Sequence, residues 1–264
     1  MICSTLPNKR TCHLPLYLHP SSDIFSSPLS EFLTYYQACT GTTIEMVHEP
    51  GGEVAFVRRM FQESILLKFD PKFTNTWFTS MVGKHSSVEA LISEIRLLSQ
   101  NYAITEFRQG LTRRWGIAWS WGDRRPCQQA ARYDSPHLKS SMPFPPEFGI
   151  EIRGRVGPVS DKIDNLFGRE LTLNEWEWDK SEAVGWGTTS GNVWSRAARR
   201  AIARNQAAGE KESPVTLGFR ISVQEKDDAG TLEVLIRWTR GIDPVLFESF
   251  CGMLKRKLGP SVGG

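Results

Sequence analysis

Trp115-Gly116-Ile117-Ala118-Trp119-Ser120-Trp121 decides how the first half of this 264-residue chain is read. Successive side chains on a strand point to opposite faces. Trp115, Ile117, Trp119 and Trp121 therefore share one face, and Gly116, Ala118 and Ser120 share the other. One face is bulky and apolar. The other is nearly flat, so a helix or a neighbouring backbone can approach it closely. The indoles read as the core of a tight sheet. Stacking of a nucleic-acid base on one of them is the alternative use of the same chemistry.

Working backwards, Tyr102 to Phe107 reads as a partner strand, joined to the first through Arg108-Gln109-Gly110-Leu111-Thr112-Arg113-Arg114. Before it, Ser86-Ser87-Val88-Glu89 has the spacing of a capping box. It opens a helix with Val88, Leu91, Ile95 and Leu98 on one face. Thr76 to Val82 reads as a strand ending at Gly83. Gly51-Gly52 precedes a helix over 53–68, whose apolar face is Val54, Val57, Phe61 and Ile65. The order is helix, strand, helix, strand, hairpin, strand. It predicts a parallel sheet with crossover helices and a terminal antiparallel strand, as in the C-terminal half of a nucleotide- or cofactor-binding α/β fold.

Four parts follow along the chain. Residues 1–37 hold Pro7, Pro15, Pro20 and Pro28 among serines and keep no sustained period, so they read as irregular. Residues 38–122 are the patterned region just described. Residues 123–148 carry Pro126, Pro136, Pro143, Pro145 and Pro146, a linker composition. Residues 149–264 read as a small α+β module. In it, Val215, Leu217, Phe219, Ile221 and Val223 alternate with polar residues. Asp227-Asp228-Ala229-Gly230 is turn chemistry, and Leu232, Val234, Ile236 and Trp238 alternate on a return strand. Asp243-Pro244 reads as an N-cap and first helical residue, with Leu246, Phe250 and Leu254 lining the helix. Glu175, Trp176, Glu177, Trp178 and Asp179 alternate as on a half-exposed strand.

Composition narrows the classes. No run of 18 apolar residues is present, so no transmembrane helix is expected, and the N-terminus shows no secretory pattern. The five cysteines are scattered without CxxC, and the five histidines show neither HxH nor HxxxH spacing. Neither a metal site nor a catalytic triad is expected. No GxGxxG or P-loop follows Gly51-Gly52. Net charge is only +3, so the placement of charge matters more than its sum.

Two basic features stand out. Arg108, Arg113 and Arg114 flank the hairpin turn, with Arg124 and Arg125 after the strand. Guanidinium forks bind phosphates bidentately and stack on bases. A short helix from Trp194 to Arg204 carries Arg196, Arg199, Arg200 and Arg204 without an acid, and the 196/200/204 spacing makes one stripe. Each is equally readable as a solvated surface.

The stretch from Ala38 to Trp121 resembles the C-terminal half of the S-adenosylmethionine-dependent RNA adenine N(6)-methyltransferases. This family includes U6 small nuclear RNA methyltransferases and bacterial large-subunit ribosomal RNA methyltransferases. The residues that carry the resemblance are Gly51 to Arg59, Trp77-Phe78-Thr79-Ser80-Met81-Val82-Gly83-Lys84, and Thr105 to Trp121. It covers about a third of the chain. It implies the last strands of a Rossmann-like methyltransferase sheet. It also implies methyl transfer from S-adenosylmethionine to the amine of an adenosine flipped from its stack. Structured RNA is then the partner, with no metal and no membrane, and a nuclear placement. Protein partners are not indicated.

The family's Asn-Pro-Pro-Phe/Tyr motif is absent, and Phe144-Pro145-Pro146-Glu147 lies after the matched stretch rather than before it. The Gly-rich donor-binding turn is absent too. The expectation is a truncated catalytic domain, inactive alone, with no catalytic or cofactor-binding residue to assign. By position, the resemblance adds Arg58 and Lys84 to Arg108, Arg113 and Arg114 as RNA-facing residues. The basic helix adds Arg196, Arg199, Arg200 and Arg204. A non-catalytic RNA-binding module and a protein-interaction adaptor are the alternatives.

Overall fold

Two consecutive glycines set where the first helix begins. In the computed structural model, which describes residues 51–132, 136–196, 200, 214–226 and 230–259, both adopt left-handed φ values, 109° at Gly51 and 58° at Gly52. A Cβ on Gly51 would sit 2.6 Å from that of Ala55, so a side chain there would collide with the helix it precedes. Helix α1 spans Gly52–Ile65 and buries Phe56, Val57, Phe61 and Ser64. Helix α2, His85–Leu98, buries Val88, Leu91, Ile92 and Ile95. Leu98, expected on that face, is 55% exposed.

The expected capping box at Ser86 does not form. Lys84 occupies the N-cap, and no side chain of α2 caps its own first turn. Glu53 of α1 does this instead. Its carboxylate accepts from the Gly83 N–H at 2.6 Å, the Lys84 N–H at 3.1 Å and the Ser87 hydroxyl at 2.5 Å. A carboxylate at a helix N-terminus satisfies orphan donors and opposes the positive end of the dipole. A partner far away in sequence has displaced the local one.

Strands β1 (Trp77–Val82), β2 (Tyr102–Gln109) and β3 (Thr112–Ser120) form a sheet in the order β1-β3-β2. Strand β3 lies between the other two and is antiparallel to both. So β1 and β2 point the same way across the α2 crossover, but they are not hydrogen-bonded neighbours. The parallel pairing expected from the strand–helix–strand order is replaced by insertion of the hairpin strand. The architecture is mixed α/β.

The bulky face of β3 packs under α1 and α2. Trp119 is fully buried, Ile117 is 1% exposed and Trp115 is 9% exposed. Phe61 meets Trp119 edge-on and stacks on Trp121, both at 5.5 Å. Base stacking on Trp115 or Trp119 is thereby ruled out, because burial leaves them no free ring face. On the flat face, a Cβ at Gly116 would lie 2.9 Å from Thr105 Cγ2 and 3.0 Å from Phe107 Cε2, so glycine there lets the Phe107 ring cross the strand.

The second sheet has five strands in the order β4-β8-β7-β6-β5. They are β4 (Glu147–Arg153), β5 (Glu175–Asp179), β6 (Val184–Thr189), β7 (Leu217–Glu225) and β8 (Thr231–Arg240). The hairpin expected from alternation is the β7–β8 pair, and its turn residues 227–229 lie outside the described residues. Helices α3 (Val156–Asn165) and α4 (Pro244–Leu258) contribute Ile163, Phe247, Phe250 and Leu254 to a core with Phe219, Ile221, Ile236 and Trp238. Asp243 caps α4 through Val245 and Leu246 N–H groups, as its Asp-Pro signal predicts. The opposite face of this sheet has a second register. Glu147, Arg237, Arg220, Trp186 and Glu177 stand opposite one another from strand to strand in a single row.

The proline-rich stretch between the two sheets is a packed connection. The Arg125 N–H donates to the Thr239 carbonyl at 3.0 Å, the Gly241 N–H to Asp123 at 2.7 Å and the Trp238 N–H to Pro146 at 2.7 Å. Leu138 enters the first core and Phe144 packs against the second. Proline fixes φ and removes a donor, and the stretch forms only a short helix, Gln128–Ala131, and a 3₁₀ turn, Pro136–Leu138, before β4 begins.

Candidate nucleic-acid interface

Hairpin strands that outrun their core place their last residues in solvent. The β2–β3 pairing continues to Gln109 opposite Thr112, leaving a two-residue turn at Gly110-Leu111. Gly110 has φ of 59°, the left-handed value a glycine-first hairpin turn uses. Leu111 is fully exposed. Arg108 stands directly opposite Arg113. Two like charges in cross-strand contact repel. Glu106 offers partial relief, 3.7 Å from Arg113. Arg114 points to the other face, opposite Phe107. Its guanidinium donates to the Arg113 carbonyl at 3.1 Å and reaches the neighbourhood of Gly83, beside the exposed Lys84. The structure therefore makes two small basic groups, Arg108 with Arg113, and Arg114 with Lys84.

Arg58 is not with them. Its guanidinium grips Glu94 of α2 through Nε at 2.8 Å and Nη2 at 2.6 Å. The hydrogen bond and charge of Glu94 hold Arg58 above its ordinary pKa, and Arg58 holds the Glu94 carboxyl below its own. This fork ties the two helices together, a structural task that sequence position did not reveal. Arg125, expected beside the hairpin arginines, is buried. It lies 3.8 Å over the Trp238 ring and donates to the Gln100 carbonyl at 2.8 Å. Burial pushes its pKa down to about 10. It joins the two sheets rather than facing solvent. Arg196 and Arg200 are exposed, whereas Arg199 and Arg204 lie outside the described residues, and so does most of the expected helix.

Glu53 was not singled out by sequence reasoning, although an acid in the first turn of α1 was in plain view. Only the approach of α2 gives it its partners. Among the described residues no group of three or more His, Cys, Asp or Glu side chains could hold a metal ion. No helix among them is long and apolar enough to cross a membrane.

A cavity of about 150 Å³ lies between β4 and α4, lined by Phe144, Phe148, Phe247 and Cys251. Pockets for drug-sized ligands run to roughly 300–1,000 Å³ with a few placed polar groups. The small size of this cavity does not fit S-adenosylmethionine.

Comparison with known proteins adds the family. Residues 31–123 match the model of the RNA methyltransferase family. The U6 small nuclear RNA (adenine-(43)-N(6))-methyltransferase of Schizosaccharomyces pombe is 29% identical over 254 residues, covering 94% of this chain and 59% of that protein. The RNA N(6)-adenosine-methyltransferase METTL16 of Mus musculus is 39% identical over 155 residues, covering 58% of this chain and 23% of that protein. The solved human METTL16 catalytic domain in complex with the MAT2A 3′UTR hairpin 1 is 34% identical, with a TM-score of 0.28 over 31% of this chain and 29% of that one. The chain thus spans about three-fifths of the S. pombe relative and about a quarter of the mouse one. Residues 31–123, about a third of the chain, are thus similar to the RNA methyltransferase family.

Proposed function

We propose that this chain binds structured RNA, such as U6 small nuclear RNA, within an adenine N(6)-methylation reaction that draws its methyl group from S-adenosylmethionine. The observation that carries this reading is the family match over residues 31–123, which includes the solvent-facing hairpin with Arg108, Arg113 and Arg114. A hairpin tip with three guanidinium groups suits a phosphate backbone, because each fork takes two oxygens of one phosphate. Lys84 adds a charge beside Arg114.

The donor's ribose and adenine require a polar pocket, which the small cavity between β4 and α4 does not provide. No step is therefore routed through the donor here. The contribution of these residues is to bind and orient RNA. This favours a second reading, a non-catalytic RNA-binding module. A nuclear site of action follows from the U6 reading alone.

Equilibrium binding of radiolabelled S-adenosylmethionine and methyl transfer to a U6-derived hairpin separate the two readings. The first predicts RNA binding together with transfer. RNA binding without donor binding supports the module. Absence of RNA binding at low salt refutes both.

A further inference from the structure

We propose that the open face of the second sheet is a binding site for one or two unpaired nucleotides of RNA, with Trp186 as the stacking platform and Arg220 and Arg237 as the phosphate clamp. This rests on the RNA reading above and adds a second site that is distinct from the hairpin.

The register is the first observation. Arg220 stands directly opposite Arg237, and Trp186 directly opposite Arg220. Like charges in this position destabilise a sheet unless an anion sits between them. Two other cations at this sheet are paired. Lys226 meets Glu151, and Arg240 meets Asp123 at 2.5 Å. Among the described residues neither Arg220 nor Arg237 has a carboxylate within ion-pair distance, and Arg237 Nε is buried without a hydrogen-bond partner. A guanidinium N–H withheld from water and given no acceptor is costly. A phosphate oxygen would supply the acceptor.

Trp186 is the second observation. It is 48% exposed, and of the nine tryptophans, all of them among the described residues, it is the one that stands in solvent. It is also held from behind. A Cβ at Gly185 would lie 2.4 Å from the Trp178 ring, and one at Gly187 would lie 3.0 Å from the Trp176 ring. The two glycines let those indoles press against the back of β6. A large aromatic fixed on a strand and flanked by arginine is the arrangement that stacks unpaired bases in sequence-tolerant fashion. Glu147 and Glu177 close the row at its two ends. The phosphate-attracting part is therefore only its middle, which limits the site to one or two nucleotides. A duplex keeps its bases stacked inside, so the ligand is single-stranded.

The test uses the full chain, a fluorescein-labelled ten-nucleotide oligouridine and a blunt ten-base-pair RNA duplex, with anisotropy at several salt concentrations. Trp186→Ala should weaken oligouridine binding about 10-fold, the loss expected of one stacked base. Trp186→Phe, which keeps a ring, should remain within about 3-fold of wild type. Arg220→Ala with Arg237→Ala should lower the salt slope by about one to two. Binding of the blunt duplex should not change in any of these variants. Circular dichroism confirms that each is folded. If the wild type binds oligouridine and all these variants bind it equally, the sheet-face site is overturned while the RNA reading stands. Equal losses on the blunt duplex overturn the single-strand assignment. No binding of either RNA by the wild type overturns both.

Discussion

Replacing Ser64 by alanine isolates one hydroxyl that serves three partners. Ser64 Oγ donates to the Phe61 carbonyl at 2.7 Å and accepts from the indole N–H groups of Trp119 at 3.0 Å and Trp121 at 3.1 Å. The Trp119 side chain is fully buried, so its N–H has no water to turn to. An unsatisfied buried donor costs about 1–3 kcal/mol, and loss of the bond to the Phe61 carbonyl adds about 0.5–1 kcal/mol. Trp121 is half-buried and its N–H can find water, which limits its share to under about 1 kcal/mol. Ser64→Ala should therefore cost about 2–4 kcal/mol. Ser93 is the internal reference, because its exposed hydroxyl makes the same backward bond, to the Ala90 carbonyl at 2.7 Å, and no other. Urea unfolding followed by tryptophan fluorescence would compare Ser64→Ala with Ser93→Ala at equal m-value. The excess assignable to the indoles is about 1–3 kcal/mol. Combining Ser64→Ala with Trp119→Phe removes the stranded donor, so the double variant should lose less than the sum of the two singles. An excess over Ser93→Ala below about 0.5 kcal/mol would refute the reasoning, since additivity errors alone reach that size.

Glu53→Ala removes the carboxylate that caps α2 and should cost about 1–2 kcal/mol, with faster hydrogen exchange at the Gly83 and Lys84 amides. Arg58 lowers the Glu94 pKa, so this pair stabilises the fold above the ordinary 4.5 and loses that contribution as pH falls through the lower folded value. Both side chains are more than a third exposed, so the effect should be under about 1 kcal/mol, and Glu94→Gln should flatten the acid limb of stability against pH. Burial pushes the Cys251 thiol up to about 12. Native protein at pH 8 should leave it unalkylated by iodoacetamide, and urea should expose it, both read by mass spectrometry. Arg108→Ala with Arg113→Ala should weaken hairpin-RNA binding and reduce the salt slope by about one to two, whereas unchanged binding would remove the hairpin from the interface.

The periodic signals were legible because each is local. Alternation of Trp115, Ile117 and Trp119 named the buried face of β3, and alternation in β7 and β8 named a hairpin that forms as read. Gly51-Gly52 marked a helix start that needs left-handed backbone. The strand–helix–strand order correctly gave β1 and β2 a common direction. The parallel pairing it also predicted does not form, because insertion of β3 between them depends on which edge the returning hairpin meets. The capping box failed for a similar reason. Ser86 and Glu89 could have capped α2 locally, but the helix starts earlier, at Lys84, where Glu53 of another helix meets the Gly83 and Lys84 N–H groups with a full charge.

The candidate site divides along the same line. The amino-acid sequence by itself determined the resemblance over Ala38 to Trp121, the two strand hairpins and the positions of the arginines, since these follow from residue order and period. Only the tertiary structure decided what each arginine does. Arg58 is paired with Glu94, Arg125 is buried over Trp238, and Arg108 and Arg113 face solvent together. The row of Trp186, Arg220 and Arg237 joins the β7–β8 hairpin to β6, whose pairing with it no local period gives. A guanidinium's role is set by whichever carboxylate, ring or solvent lies within a few ångströms of it. Those neighbours come from cross-strand register and helix packing, which no local pattern encodes.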